Sequence, residues 1–308
     1  MAREGSVDWA PVTNEWCAVA PLLGFDERLT QDFSLGNGVI LGPTPAWLRE
    51  ERATRHYGAL ETLWATGAVT ALSTRYEATR VEEPDPDREG FSLQDRADHA
   101  LELASLALWL ARPSQVGIRI ILHSPEPRGN GEGELHRVIP IGVHPADDAT
   151  HAHDEQDLEA AHSLHEAIAS LKSGGTTETA ILSLLSALQQ NAWVPRYAML
   201  WIALEALFGP QDAREMRFRM AQRVALFLER GEEAKTLFDA VKSAYDLRSK
   251  VIHGARIAGL TLEQRLKVQK DAEDLARRSV CKILFDPSLP SVFDGKKREI
   301  FFDEKVFA

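Results

Sequence analysis

The run from Arg196 to Gly254 decides how this chain is read. It opens RYAMLWIALEALFG (196–209), continues MRFRMAQRVALFLE (216–229) and closes AKTLFDAVKSAYDLRSKVIHG (234–254). In each block apolar residues recur three and four apart, which is the period of one helix face. Between the blocks stand GPQDARE and RGEE, where glycine stops one helix and acidic residues start the next. The same texture extends upstream through LEAAHSLHEAIASL (158–171) and ETAILSLLSALQQ (178–190). Downstream it continues through TLEQRLKVQKDAEDLARRSVCKIL (261–284). Six successive helices are predicted, and an all-α antiparallel bundle is expected over residues 154–285.

Residues 1–150 have a different texture. WCAVAPLLGF, FSLGNGVILGP, VTALSTRYEATRV, VGIRIILHS and LHRVIPIGV read as strands, being short, β-branched and bounded by Gly and Pro. AWLREERATRHYGALETLWATG and LQDRADHALELASLALWLA read as helices, the second with Ser92 as its N-cap. EEPDPDREG is expected to be a surface loop. The tail 286–308 carries Asp294-Gly295 between apolar segments, a pattern that predicts a hairpin. The expected fold class is α+β: an N-terminal mixed α/β region, then a helical bundle, then the tail.

Composition narrows the function. The chain has 308 residues, 44% of them apolar, and two cysteines, Cys17 and Cys281. Two thiols exclude a disulfide scaffold and an all-cysteine zinc site. No apolar run reaches the ~18 residues that span a bilayer, so no membrane partner is expected. MAREGSVDWAPV has no apolar h-region, so a cytoplasmic protein is expected. The net charge of -11 is unevenly spread. Residues 1–192 are strongly acidic and residues 193–285 have an excess of Lys and Arg, so an anionic ligand is expected on the helical half.

The chain contains no GxxxxGK[ST], GxSxG, HExxH or CxxC. Gly129, Gly131 and Gly133 read as a turn, and DPDRE (85–89) lacks the glycine of a calcium loop. His144, His151, His153, His162 and His165, with Glu166, form a histidine-rich window that offers imidazole and carboxylate groups to a transition metal. Its spacing fits no metal signature, and a polar linker running onto a helix face accounts for it. No metal site and no cofactor is expected. Three Arg-x4-6-His pairs occur: Arg49–His56, Arg137–His144 and Arg248–His253. Twenty-five arginines and ten histidines produce as many by chance. Context singles out the third pair, because it closes a long helix just before Gly254.

In that context ALEALF carrying Glu205, the Ala221–Arg223 helix, and Tyr245-x-x-Arg248-Ser249…His253-Gly254 resemble the blocks of HEPN domains, the Apea-like group in particular. The resemblance covers about residues 155–285 and does not reach the N-terminal region. It implies a dimerising helical bundle and, in many members, a metal-independent endoribonuclease. In such members the active site is built from the Arg-x4-6-His motifs of two protomers. The resemblance makes Arg248 and His253 the catalytic pair and the partner RNA, in a homodimer. It also implies a prokaryotic defence or toxin–antitoxin setting, with a regulatory protein as a further partner. Ser249, Tyr245 and Glu205 are supporting residues, and Lys250, Arg256 and Arg223 are candidates for holding the RNA backbone. Two departures are visible. Ser249 stands where Asn, Asp or His is common, and Ala255 replaces the tyrosine through which some such toxins are silenced. Other members are non-catalytic binding or regulatory modules, which is the alternative expectation here.

Chemistry fits the pair. Arg248 and His253 are five residues apart, hence about 140° apart around a helix and ~7.5 Å along it. Tyr245, Ser249 and His253 share a face. One helix end is a sparse site, and a second copy across a two-fold axis doubles its cations. Histidine exchanges protons near neutrality, and a guanidinium stays charged and matches phosphate oxygens.

Overall fold

The computed structural model describes residues 13–25, 29–49, 57–79, 93–126, 134–138, 153–210, 215–252 and 259–306. Two compact units divide the chain. The first holds most of residues 1–102 together with 118–138, and the second holds 103–117 and everything from 139 onward, with the short piece Leu35–Asn37.

The first unit is an antiparallel sheet. Its strands are β1 (Thr13–Leu23), β2 (Phe33–Gly36), β3 (Val39–Pro43), β4 (Thr70–Thr79), β5 (Gly117–Ile118), β6 (Ile120–Glu126) and β7 (Glu134–Val138). The order is β2-β3-β4-β1-β6-β7, and β5 also pairs with β1. β1 is central because both faces of its run are apolar: Ala18, Val19 and Ala20 are all buried. Its register is fixed on one side by Ala18↔Thr74 and Ala20↔Leu72, and on the other by Ala18↔His123 and Val19↔Leu122. Asn37 and Gly38 both have positive φ and close the turn between β2 and β3. A 3-10 turn at Ala46–Arg49 and the helix α1 (Ala59–Gly67) follow. Val19, Leu48, Ala65, Ile120 and Leu122 form this unit's core, flanked by Trp47 and Trp64. The single helix expected over 46–67 is therefore two pieces among the described residues. The strand readings at 16–25, 69–81 and 116–124 match β1, β4 and β5–β6. The EEPDPDREG loop, Ser92 and most of GNGEGE lie outside the described residues.

α2 (Leu93–Ala111) runs from the first unit into the second, whose own helices are α3 (Glu155–Ala169), α4 (Thr176–Leu188), α5 (Trp193–Phe208), α6 (Met216–Leu228), α7 (Gly231–Ile252) and α8 (Leu262–Leu284). These are the six helices read from the sequence. Capping boxes start two of them: Asp154 with Asp157 on α3, and Thr261 with Gln264 on α8. α5 lies deepest, with Leu200, Trp201, Ala203, Leu204, Leu207 and Phe208 fully buried. Among the described residues no helix is long and apolar enough to cross a membrane.

The tail corrects the sequence reading. Instead of a hairpin it forms two helices, α9 (Leu289–Phe293) and α10 (Lys297–Val306). Phe293, Phe301 and Phe302 pack with Phe208 and Phe227, with ring centroids 5.2–6.3 Å apart. Phe293 ends α9 while Phe301 and Phe302 lie on α10, so this cluster ties both tail helices to α5 and α6. Asp294 ends α9 and does not turn a hairpin. Its Oδ1 accepts from the Thr177 amide (2.8 Å) and from the hydroxyls of Thr177 (2.9 Å) and Thr176 (3.1 Å). The N-cap of α4 is Gly175, which has no side chain to cap with, so Asp294 caps α4 from 117 residues away. Asp294→Ala is expected to lower the unfolding free energy by about 1–2 kcal/mol, read by denaturant titration. An unchanged midpoint would show that the cap contributes nothing.

Candidate functional site

Arg248 lies near the C-terminal end of α7, and its neighbour across the helix pair is Glu205 on α5. Its Nη2 donates to Glu205 Oε2 at 2.8 Å. Its guanidinium carbon lies 5.5 Å from the Tyr245 ring centroid, one helical turn back. Tyr245 in turn meets Trp201 edge-on at 5.4 Å. The motif residues Glu205, Tyr245 and Arg248 thus come together from two helices. The side chains of Arg248 and Glu205 are 18% and 25% exposed, so the pair is partly screened from water but not sealed. Glu205 Oε1 and Arg248 Nε are buried and accept or donate no hydrogen bond among the described residues. Burial, then the Glu205 charge, pushes the Tyr245 phenol above its ordinary range, against the Arg248 charge. Ser249 is half-buried and Lys250 exposed on the same helix end. His253 and Arg256 lie outside the described residues.

Asp246, two places before Arg248, is engaged elsewhere, accepting from Arg217 through both oxygens at 2.8 Å. Arg223 departs from the sequence expectation. It is buried, forks onto both carboxylate oxygens of Glu299 on α10, donates to Phe208 O at 3.3 Å and lies over the Phe302 ring. Its guanidinium holds the C-terminal helix and is not presented to a phosphate backbone. The sequence window held no sign of this, because the partner carboxylate is 76 residues away. Trp201 is core, as is Tyr197, whose phenol burial pushes up to about 12 while it donates to Ala244 O. Trp193, half-buried, stacks on Tyr197 at 5.3 Å. Burial pushes the Cys281 thiol up to about 11, so it is a poor nucleophile.

Burial raises the Glu299 carboxyl, but the Arg223 hydrogen bond and the charges of Arg223, Arg298 and Arg219 outweigh it and hold the group below the ordinary carboxylate range. A depressed folded-state pKa contributes stability above the ordinary carboxylate value, and that contribution is lost as pH falls through the folded value. Docking of α10 is therefore expected to weaken from about pH 5 downward. Amide exchange in 297–306 that accelerates before the rest of the bundle opens would bear this out. Uniform exchange across the bundle would refute it.

Two described histidines of the window each meet a backbone carbonyl. His153 pairs with Leu108 O at 3.1 Å and His165 with Leu35 O at 2.9 Å. Among the described residues no three His, Cys, Asp or Glu side chains are placed to hold a metal ion. His144 and His151 lie outside those residues. The sequence reading missed one polar network, in the first unit. His123 on β6 contacts Asp98 Oδ1 through Nε2 at 2.9 Å and the Tyr76 hydroxyl through Nδ1 at 2.7 Å, with His123 and Asp98 fully buried. Its only visible signal was a histidine inside the apolar run IILHS.

No protein-family model, no curated protein and no solved structure matches this chain.

Proposed function

We propose that the helical unit is a HEPN-type, metal-independent endoribonuclease domain that acts as a homodimer on RNA, in a prokaryotic defence or toxin-type role. The observation that carries this reading is the meeting of Arg248 with Glu205 and Tyr245, the residues that the resemblance assigns to the site. In this reading a ribose 2′-hydroxyl attacks the adjacent phosphorus. One His253 imidazole takes the 2′-hydroxyl proton, and the bond from phosphorus to the 5′-oxygen breaks. A second His253, from the partner copy, returns a proton to that oxygen. The products are a 2′,3′-cyclic phosphate and a 5′-hydroxyl end. Arg248 stabilises the charge that builds on the phosphorane oxygens. Glu205 aims the guanidinium and leaves its remaining N–H groups for phosphate. Lys250 and Arg256, close along the chain, supply electrostatic hold. DNA has no 2′-hydroxyl and would bind without being cut.

The test is incubation of the purified protein with end-labelled single-stranded RNA and with DNA of the same sequence, in EDTA. RNA cut to cyclic-phosphate ends with DNA intact supports the proposal, and RNA left whole by a dimeric preparation defeats it. A second reading, a non-catalytic module, is favoured by the same ion pair, because Glu205 already neutralises most of the Arg248 charge. RNA binding without cleavage would select it.

A further inference from the structure

α5 carries Glu205 in its last turn, and that turn does not finish itself. Pro210 has no amide hydrogen, and it disfavours helical backbone in the residue before it. Gly209 is extended, with ψ of 128°, and the helix stops at Phe208. The carbonyl of Ala206 thus loses the donor that residue 210 would supply in a longer helix. The turn is also tight around Glu205. The Gly209 amide donates to Glu205 O at 2.8 Å, and a Cβ on Gly209 would lie 2.5 Å from that same oxygen.

Guanidinium groups from two other helices serve the carbonyls left over. Arg298 on α10 donates from Nη1 to Ala206 O at 2.6 Å and from Nη2 to Gly209 O at 3.3 Å. Arg223 on α6 donates to Phe208 O at 3.3 Å and is forked by Glu299, the residue after Arg298. Arg298 sits in the first turn of α10, where that helix's own dipole disfavours a cation. The carbonyl end of α5 accounts for its placement, because there a cation is favoured. The contact spans 92 residues and joins the C-terminal helix to the turn that begins at Glu205. The Glu205 side chain in turn accepts from Arg248 at 2.8 Å.

We propose that Arg298 is a positioning residue for the Glu205–Arg248 pair. By completing the last turn of α5 from α10, it fixes the backbone of Glu205 and so the direction in which Arg248 is held. Arg298 acts through the carbonyls of Ala206 and Gly209 and not on RNA. The proposal rests on the nuclease reading for its turnover arm alone; the geometry of the pair can be followed without any RNA. Tyr245 is the reporter, because the Glu205 charge adds to burial in raising its phenol.

The test compares Arg298→Met and Arg298→Lys in the full chain, with Ile300→Ala as the control, since Ile300 is 59% exposed on the same helix. Arg298→Met is expected to speed exchange of the Gly209 amide about tenfold. It should also lower the titration midpoint of Tyr245, followed by NMR of ring-labelled tyrosine, as the Glu205 carboxylate is released. An ammonium lacks the planar fork, so Arg298→Lys should fall between Met and wild type; it gives the same readouts if Arg298→Met does not fold. On RNA, Arg298→Met should lower kcat about five- to tenfold, leave KM near wild type, and cost nothing further in a Glu205→Gln background. Unchanged exchange at Gly209 would overturn the proposal. Faster exchange with Tyr245 unmoved would reduce Arg298 to a helix cap and overturn it too, as would an equal Tyr245 shift in Ile300→Ala or turnover losses that multiply in the double variant. A lowered Tyr245 midpoint with RNA left whole by every chain would support the positioning role and defeat the nuclease reading.

Discussion

His253→Ala is expected to slow cleavage of single-stranded RNA by about 10²–10⁴-fold, the range that a positioned acid or base contributes. The fold should survive, because the side chain follows the last residues of α7 and the core positions of that helix, such as Val241 and Val251, are untouched. Arg248→Ala should lose cleavage to a similar extent through a different physical term, the uncompensated charge on the phosphorane. The two can be told apart. Arg248→Ala should weaken RNA binding as well as turnover, whereas His253→Ala should lower turnover and leave binding near wild type. Arg248→Lys should recover little, since an ammonium cannot hold Glu205 and fork onto a phosphate at once. Equal RNA degradation by wild type and both alanine variants would remove the nuclease reading.

Glu205 sharpens that test. If it aims Arg248, Glu205→Gln keeps the shape, gives up half the ion pair and lowers turnover without abolishing it. If it merely neutralises Arg248 in a binding module, the same change frees a cation and tightens RNA binding at low salt. The sign of the change in affinity, measured beside the rate, decides between the two roles of one carboxylate.

What was legible in the sequence follows from range. Helices α3 to α8 announce themselves through contacts three and four residues apart, and their starts through local caps such as Asp154–Asp157. β1 was visible because a central strand is apolar on both faces. The tail was misread because Asp294-Gly295 has the chemistry of a hairpin turn, and only tertiary contact shows that its carboxylate caps α4. Arg223 was misassigned for the same reason: an arginine in a basic helix looks the same whether Glu299 reaches it or a phosphate does. Asp98, His123 and Tyr76 come together over separations of 25 and 47 residues, which no periodicity records. Glu205 was picked out by the resemblance, and its 2.8 Å contact with Arg248 spans 43 residues, beyond the reach of any helical period.

The largest stability effect is expected inside the bundle, at an ion pair that the proposed chemistry does not use. Arg196 on α5 is fully buried and donates through Nε to Glu273 on α8 at 2.8 Å; Gln269 donates to the same carboxylate oxygen at 2.9 Å. Burial pushes the Glu273 carboxyl above its ordinary range, and the Arg196 charge, the Gln269 hydrogen bond and the Arg196 hydrogen bond only partly offset it. Glu273→Ala then leaves a guanidinium in an apolar interior and is expected to cost about 3–5 kcal/mol. At roughly 2–4 °C per kcal/mol for a unit of this size, the melting temperature should fall enough to see in any thermal scan. Arg196→Met with Glu273→Leu removes both charges together and should cost far less than either single change, because no buried charge is left behind. The raised folded-state pKa fixes a second sign. The pair's net contribution is largest below the ordinary carboxylate value and declines as pH rises from there through the folded value. This is the reverse of Glu299, whose contribution is lost on acidification. Acid should therefore loosen α10 from α6 while leaving the α5–α8 contact intact, and an order of opening in which α5 and α8 part first would contradict both assignments.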